Sequence, residues 1–283
     1  MQEIDQTVFD AIVENFLQKF SLKINIDVLK VLDKEDVSLK ELEAIQHKID
    51  AFVVSRLLKI GNSFYYGRLS AGQISDFSKV ITMRLGVRFS KSLIIASSFF
   101  TMKTNNEEID HELQLLFAKT ISVWAIAKNL ASEMGLKKET VNLLEMVSLF
   151  HELGRIAILI YTAGHDGKGL NDEVVKADHS HVRRKIIERL QLPPFLSETL
   201  DRADALSFDR SGIDLPTIIY LSFLAVEESF KEHGKLVIKS YLSDLKDPIS
   251  ITPGTIISDF FSAVNLSRYI EIVQPDQPVE KLS

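Results

Sequence analysis

The chain contains no cysteine, which excludes disulfide bonds, thiolate metal sites and cysteine nucleophiles. Proline is absent from the first 192 residues, so no proline interrupts a helix there. No apolar run approaches the roughly 18 residues that a membrane-spanning helix requires. Residues 1–5 are acidic and lack the basic and apolar regions of a secretion signal. We therefore expect a cytoplasmic protein that does not insert into a membrane.

A strong excess of positive charge is also missing, because the formal net charge of the 283 residues is −6. This balance argues against a general nucleic-acid binder, and no nucleic-acid partner is expected. One basic cluster is present, and its members are Arg183, Arg184, Lys185 and Arg189. No aromatic residues interleave with the cluster to stack bases, so we expect it to form a solvated helix face.

Apolar residues recur at helical spacing through most of the chain, as they do at Leu42, Ile45 and Ile49. Ser38, followed three residues later by Glu41, predicts a capping box at the start of that helix. The same periodicity predicts many further helices, including 138–161, 179–191 and 235–245. No convincing alternating strand pattern is present, so the predicted fold is all-α.

A charged stretch that is poor in apolar residues, 102–111, indicates an internal boundary. It divides an amino-terminal helical lobe, residues 1–104, from a second helical lobe, residues 105–273. The last residues, 274–283, are rich in proline and charge and are expected to form a flexible tail.

The doublet His151-Glu152 looks like the metal-binding doublet of all-helical phosphohydrolases, in which the second residue is Asp. A neutral imidazole and an anionic carboxylate can together hold a divalent metal and its activated water. The extra methylene of Glu moves the carboxylate oxygens by more than the tolerance of a metal bond, about 0.2 Å. The doublet alone therefore does not establish a metal site.

Two other segments carry a more specific resemblance. Residues 57–67, which end in Asn-Ser, aromatic residues and Gly, and residues 74–86, which end in Leu-Gly, resemble consecutive segments of the HDOD family. This family comprises bacterial signalling relatives of the HD and HD-GYP phosphohydrolases, and the resemblance extends over roughly residues 21–230. It implies a two-lobed multi-helix bundle of the HDOD type, with an HD-like carboxy-terminal lobe.

The resemblance also implies that the metal-ligand positions have changed. Lys119 falls where metal-binding relatives have a His, and a protonated amine cannot ligate a cation. Residues 200–204 lie where HD-GYP enzymes have two histidines, and neither is present. His179 matches a family histidine, so the possible ligands are His151, His179 and Glu152. We expect no metal and no other cofactor.

Each site candidate has a structural alternative. We expect Lys119 to supply the cation that a metal once supplied, with its ammonium within about 4 Å of Glu152. Arg155 either faces an anionic ligand or bonds Glu152 in a purely structural role. His179 is either a residue of a vestigial ligand pocket or a helix-start residue that binds backbone groups.

A second candidate surface lies in the amino-terminal lobe. Tyr65 and Tyr66, beside Asn62 at a helix end, could anchor a protein partner. The alternative use of this aromatic pair is packing between the lobes.

The sequence leaves three functions open. The first is a non-catalytic bacterial signal-transduction module with a degenerate HD metal site, which binds a separate signalling protein or a small regulatory ligand. The second is a metal-dependent phosphohydrolase acting on a nucleotide or cyclic dinucleotide, and the third is a structural scaffold. We favour the first, because the HDOD segments are intact while the ligand positions have changed. No receiver, cyclase or kinase segment fits in the remaining residues, so output is expected through a separate partner.

Overall fold

The computed structural model describes eight stretches of the chain, which are residues 6–21, 25–34, 36–62, 73–164, 172–205, 214–239, 261–262 and 267–273. Within them the protein is all-α, as predicted, apart from one two-stranded parallel sheet. The helices are α1 (Gln6–Ser21), α2 (Ile26–Leu32), α3 (Leu39–Gln46), α4 (Ala51–Asn62), α5 (Phe77–Val80), α6 (Val87–Phe100), α7 (Glu107–Glu133), α8 (Lys138–Phe150), α9 (Leu153–Ala163), α10 (Asp172–Arg189), α11 (Phe195–Asp204) and α12 (Leu215–His233). A π-helical turn, Ile81–Leu85, continues α5.

The chain divides into two compact units that are interleaved in sequence. The first unit consists of Met1–Ile26 and Ile95–Ser222, and the second of Asp27–Ile94 and Phe223–Ser283. The lobes 1–104 and 105–273 and the tail 274–283 stay a prediction.

The first unit is built around pairs of helices that are neighbours in sequence. α7 packs against α8, and α9 packs against α10. α1 also packs on α9 and α10, and its Phe16 ring lies 5.3 Å from the ring of Phe99. Phe99 in turn meets Phe150, the last residue of α8, edge to face at 6.2 Å. This aromatic core holds the carboxyl end of α8 in place.

The second unit contains the predicted capping box. The Ser38 hydroxyl accepts a hydrogen bond from the Glu41 backbone N–H, and the Ser38 backbone N–H donates to the Glu41 carboxylate. α4 approaches α5 so closely that a β-carbon on Gly61 would lie 2.4 Å from Cγ1 of Val80. Glycine is required there for contact rather than for backbone flexibility.

Three helix predictions are wrong in their bounds or type. The predicted helix 138–161 is interrupted, since α8 ends at Phe150 and α9 begins at Leu153. α10 begins at Asp172, so residue 179 lies inside a helix rather than at its start. The start of the predicted helix 235–245 is instead a strand.

That strand, β1 (Leu236–Lys239), pairs in parallel with β2 (Ile270–Val273), with Leu236 opposite Ile270. The hydroxyl of Ser229, near the end of α12, accepts a hydrogen bond from the backbone N–H of Val237 and donates one to the carbonyl oxygen of Lys235. The β-branched residues Val237 and Ile238 suit a strand, and their partner lies far along the chain. Among the described residues, no helix is both long and apolar enough to cross a membrane.

Candidate functional site

His151 and Glu152 lie in the short turn between α8 and α9, in the first unit. Glu152 has φ −91° and ψ 3°, a backbone conformation that is sparsely populated and occurs at many active sites. Both side chains are buried, with 7% of His151 and 2% of Glu152 exposed. The doublet is therefore an internal polar group at a helix junction, and its environment decides what it can bind.

The His151 ring is fixed by a backbone carbonyl. Nδ1 lies 2.7 Å from the carbonyl oxygen of Ser148, and because a carbonyl can only accept, Nδ1 carries the proton. Nε2 lies 3.6 Å from Oε1 of Glu152. Burial lowers the pKa of His151, although the charge of Glu152 opposes this effect.

Glu152 is held by an arginine. Nη1 of Arg155 donates to both carboxylate oxygens, at 3.2 and 3.3 Å. Burial alone would raise the pKa of Glu152, but the charge that His151 carries when protonated and the charge of Arg155 outweigh this effect and lower the pKa. Lys119 acts on Glu152 in the same direction as a weaker influence. Arg155 forms an ion pair with Glu152 at 3.2 Å, whereas the approach of Lys119 to within about 4 Å of Glu152 stays a prediction.

His179 approaches the doublet because of a glycine. α9 crosses α10 so closely that a β-carbon on Gly154 would lie 1.8 Å from the carbonyl oxygen of His179. Within the part of the chain that the structure describes, buried Nδ1 of His179 has no hydrogen-bond partner. Burial lowers the pKa of His179, with the charge of Asp204 opposing it. The ring thus stays neutral near neutral pH.

Arg183 is a member of the site that the sequence did not indicate. Its side chain is fully buried, with 0% exposed. Nη2 donates to Oδ1 of Asp201 at 2.9 Å and to Oδ2 of Asp204 at 2.8 Å. Nη1 donates to the backbone carbonyl oxygen of His151 at 3.3 Å. Arg183 therefore connects α10, α11 and the turn that carries the doublet.

The prediction that the basic cluster forms a solvated helix face is wrong for Arg183 and right for Arg184. Arg184 is 51% exposed and bonds Asp201 from outside, with Nε 2.9 Å from Oδ2. Asp201 and Asp204 are three residues apart and so share one face of α11. In the sequence, this spacing was the one local signal that the two carboxylates share a buried basic partner.

The described side chains do not fit a divalent metal. No group of three or more His, Asp and Glu side chains is placed to hold one anywhere among the described residues. Glu152 is already bound by Arg155, and the Arg183 guanidinium contacts the His151 backbone. Positive charge at both places opposes a bound cation. The side chain of Asp178 lies outside the described residues.

The second candidate surface is described only at Asn62. Its Nδ2 donates to the carbonyl oxygens of Leu58 and Ile74, at 2.8 and 2.7 Å. Its Oδ1 accepts from the Ile74 backbone N–H at 2.8 Å and from Arg84 at 2.6 Å. Asn62 thus joins the two ends of segment 63–73. Tyr65 and Tyr66 lie outside the described residues, and partner binding there stays a prediction.

One family model and two solved structures resemble this chain. A family model described as HDOD domain matches residues 22–205. A crystal structure from Shewanella amazonensis, described as a candidate metal-dependent phosphohydrolase, has a TM-score of 0.58 and 16% identity, covering 93% of this chain and 99% of its own. An HDOD domain protein of unknown function from Geobacter sulfurreducens has a TM-score of 0.49 and 17% identity, covering 91% of this chain and 89% of its own. No curated protein matches the chain.

Proposed function

This chain belongs to the HDOD domain family, and from that membership we propose that it is a non-catalytic signalling module of the bacterial cytoplasm. It acts by binding a separate signalling protein or a small regulatory ligand. Its HD-like metal site is degenerate, so that Lys119, His151, Glu152, Arg155 and His179 form a vestigial polar cluster. No cofactor takes part.

The observation that carries this proposal is the bond between Arg155 and Glu152. Nη1 of Arg155 already bonds both oxygens of Glu152, so a positive charge stands beside the carboxylate that a metal would need as its ligand. Displacing Arg155 would leave a cation partly buried and without its counter-charge, which is costly. A divalent ion would have to meet that cost before it could bind.

The alternative is a metal-dependent phosphohydrolase acting on a nucleotide or cyclic dinucleotide. One observation favours it, because Nδ1 of His151 donates to the Ser148 carbonyl. That bond leaves Nε2 as the acceptor nitrogen, which is the arrangement of most metal-binding histidines. A single histidine with this tautomer does not make a metal site, since catalytic sites use three protein ligands.

Metal content and hydrolysis decide between the two functions. The full chain is incubated with Mn²⁺, desalted and measured by elemental analysis, then assayed with a model phosphodiester and with cyclic dinucleotides. We expect substoichiometric manganese and no Mn²⁺-dependent turnover. Turnover that His151→Ala abolishes and His47→Ala, an exposed matched control, preserves would overturn the proposal.

Binding is tested by affinity capture from the native host. The wild-type chain is compared with Arg155→Gln, since the Arg155 side chain is 22% exposed and lies at the accessible edge of the cluster. Arg202→Gln, at a 68% exposed arginine of α11, is the matched control. A partner retained by the wild type and the control but lost by Arg155→Gln would place its binding at the cluster. Capture by all three chains would indicate another surface.

A further inference from the structure

We propose that Arg183 is a built-in cation that does the structural work of a divalent metal for Asp201, Asp204 and the backbone carbonyl of His151. This inference deepens the proposed function and rests on it, because it states what fills the role of the lost metal.

The convergence of two carboxylates on one atom is the first argument. Oδ1 of Asp201 and Oδ2 of Asp204 both lie within 2.9 Å of the single nitrogen Nη2. Two anionic oxygens directed at one point repel each other unless a positive charge lies between them. In metal sites the ion supplies that charge, and here the guanidinium supplies it.

The elements that Arg183 connects are the second argument. Its bond to the His151 carbonyl fixes the turn after α8, and its bonds to Asp201 and Asp204 fix α11. A metal ion typically joins side chains from separate helices of a bundle in this way. Arg183 performs the same joining function with a charge that is covalently attached to the chain and so cannot dissociate from it.

Burial makes the charge of Arg183 indispensable to Asp201 and Asp204. Arg183 is fully buried, whereas 24% of Asp201 and 39% of Asp204 remain exposed. Without the guanidinium the two carboxylates would keep their mutual repulsion and lose their common partner. They would then present two hard oxygen ligands, which suit Mn²⁺, to the space that the guanidinium group occupied.

The experiment compares Arg183→Met with Arg184→Met, which removes the exposed arginine that also bonds Asp201. Thermal unfolding of each full chain is measured with EDTA and with millimolar Mn²⁺. We expect Arg183→Met to lower Tm by about 10 °C and Arg184→Met to lower it by about 2 °C or less. We expect Mn²⁺ to raise the Tm of Arg183→Met alone and to leave the wild type unchanged.

Three results would overturn the inference. The first is a Tm loss in Arg183→Met no larger than that in Arg184→Met. The second is a large loss that Mn²⁺ does not reverse, which would make Arg183 an ordinary buried ion pair. If Arg183→Met does not fold, Arg183→Lys takes its place, because its ammonium keeps a positive charge but has no second nitrogen for the His151 carbonyl. Its Tm should fall less and should not respond to Mn²⁺, and a response would also count against the inference.

Failure of this inference is distinguishable from failure of the proposed function. Mn²⁺-dependent hydrolysis by the wild-type chain would refute the proposed function, whatever the variants do. An absence of hydrolysis together with equal Tm values for the two methionine variants would leave the proposed function intact and refute the role of Arg183.

Discussion

Gly154 contacts the backbone of His179 where α9 crosses α10, and no side chain fits between the two residues. A β-carbon on Gly154 would lie 1.8 Å from the carbonyl oxygen of His179, far inside van der Waals contact. The obstacle is backbone, which cannot rotate away as a side chain can. The closeness of His179 to the doublet thus depends on the absence of a side chain at Gly154.

Gly154→Ala should therefore force α9 and α10 apart. We expect it to lower the free energy of unfolding by about 3 kcal/mol or more, because overpacking a rigid contact strains both helices. Gly164→Ala is the matched control, since a β-carbon there would meet its nearest atom at an ordinary 3.5 Å. Urea unfolding of the two variants measures the difference, and equal stabilities would contradict the crossing geometry.

Stability should fall as the pH drops below about 6.5. Burial lowers the pKa of both His151 and His179 from 6.5, so the unfolded chain binds more protons than the folded chain between the folded pKa values and 6.5. The contribution of these two histidines to the free energy of unfolding is fully present above pH 6.5 and is lost on acidification. Glu152, whose pKa is lowered from 4.5, adds a further loss that begins only below about 4.5.

Urea unfolding at a series of pH values measures this dependence. His179→Asn should flatten the slope below about pH 6.5, and His47→Asn, at an exposed position, is the matched control. The charged groups that act on His179 are Asp204, Arg183, Glu152 and Arg155. An unchanged slope in His179→Asn would show that the ring titrates alike in the folded and unfolded chains.

Lys128 of α7 and Glu145 of α8 form a buried ion pair, with 5% and 3% of the residues exposed. Lys128→Met should lower the free energy of unfolding by about 3–5 kcal/mol, because it leaves the Glu145 carboxylate buried without this counter-charge. The double variant Lys128→Met/Glu145→Leu should lose less than the two single variants combined. A double-mutant cycle by urea unfolding checks this, with exposed Lys138→Met as the control, and additive losses would contradict it.

The side chain of Asn62 should protect the backbone N–H of Ile74 from exchange with solvent. Asn62→Ala removes the acceptor of the Ile74 N–H, so that amide should exchange with solvent faster. Asn62→Asp keeps the acceptor and loses both donated bonds, so it should retain more of that protection. Hydrogen exchange at Ile74 compares the two variants. Equal exchange rates would argue that the bond to Oδ1 does not protect this amide.

Local signals predicted the parts of the fold that depend on neighbours in sequence. The capping box of Ser38 and Glu41 needs only four consecutive residues, and it is present as predicted. The break at His151 and Glu152 was not predicted, because the apolar spacing continues across it from Phe150 to Leu153. That break depends on contacts with α10, which periodicity along one segment cannot show.

Arg183 was misjudged for the same reason. Three consecutive basic residues are typical of a solvated face, and Arg184 fits that pattern. The partners of Arg183 lie 18 and 21 residues later, on another helix. A single sequence shows the residue types of such a network, but it does not show which of several arginines turns inward.

The pairing of β1 with β2 has a practical consequence for anyone who shortens this protein for crystallisation. The family match ends at residue 205, yet β1 pairs with β2, and Leu236 lies opposite Ile270 at the start of that strand. A protein truncated between the two strands would lose the hydrogen bonds that pair β1 with β2. The exposed backbone groups of β1 would then favour edge-to-edge aggregation. Expression trials should therefore place the carboxyl terminus after Val273.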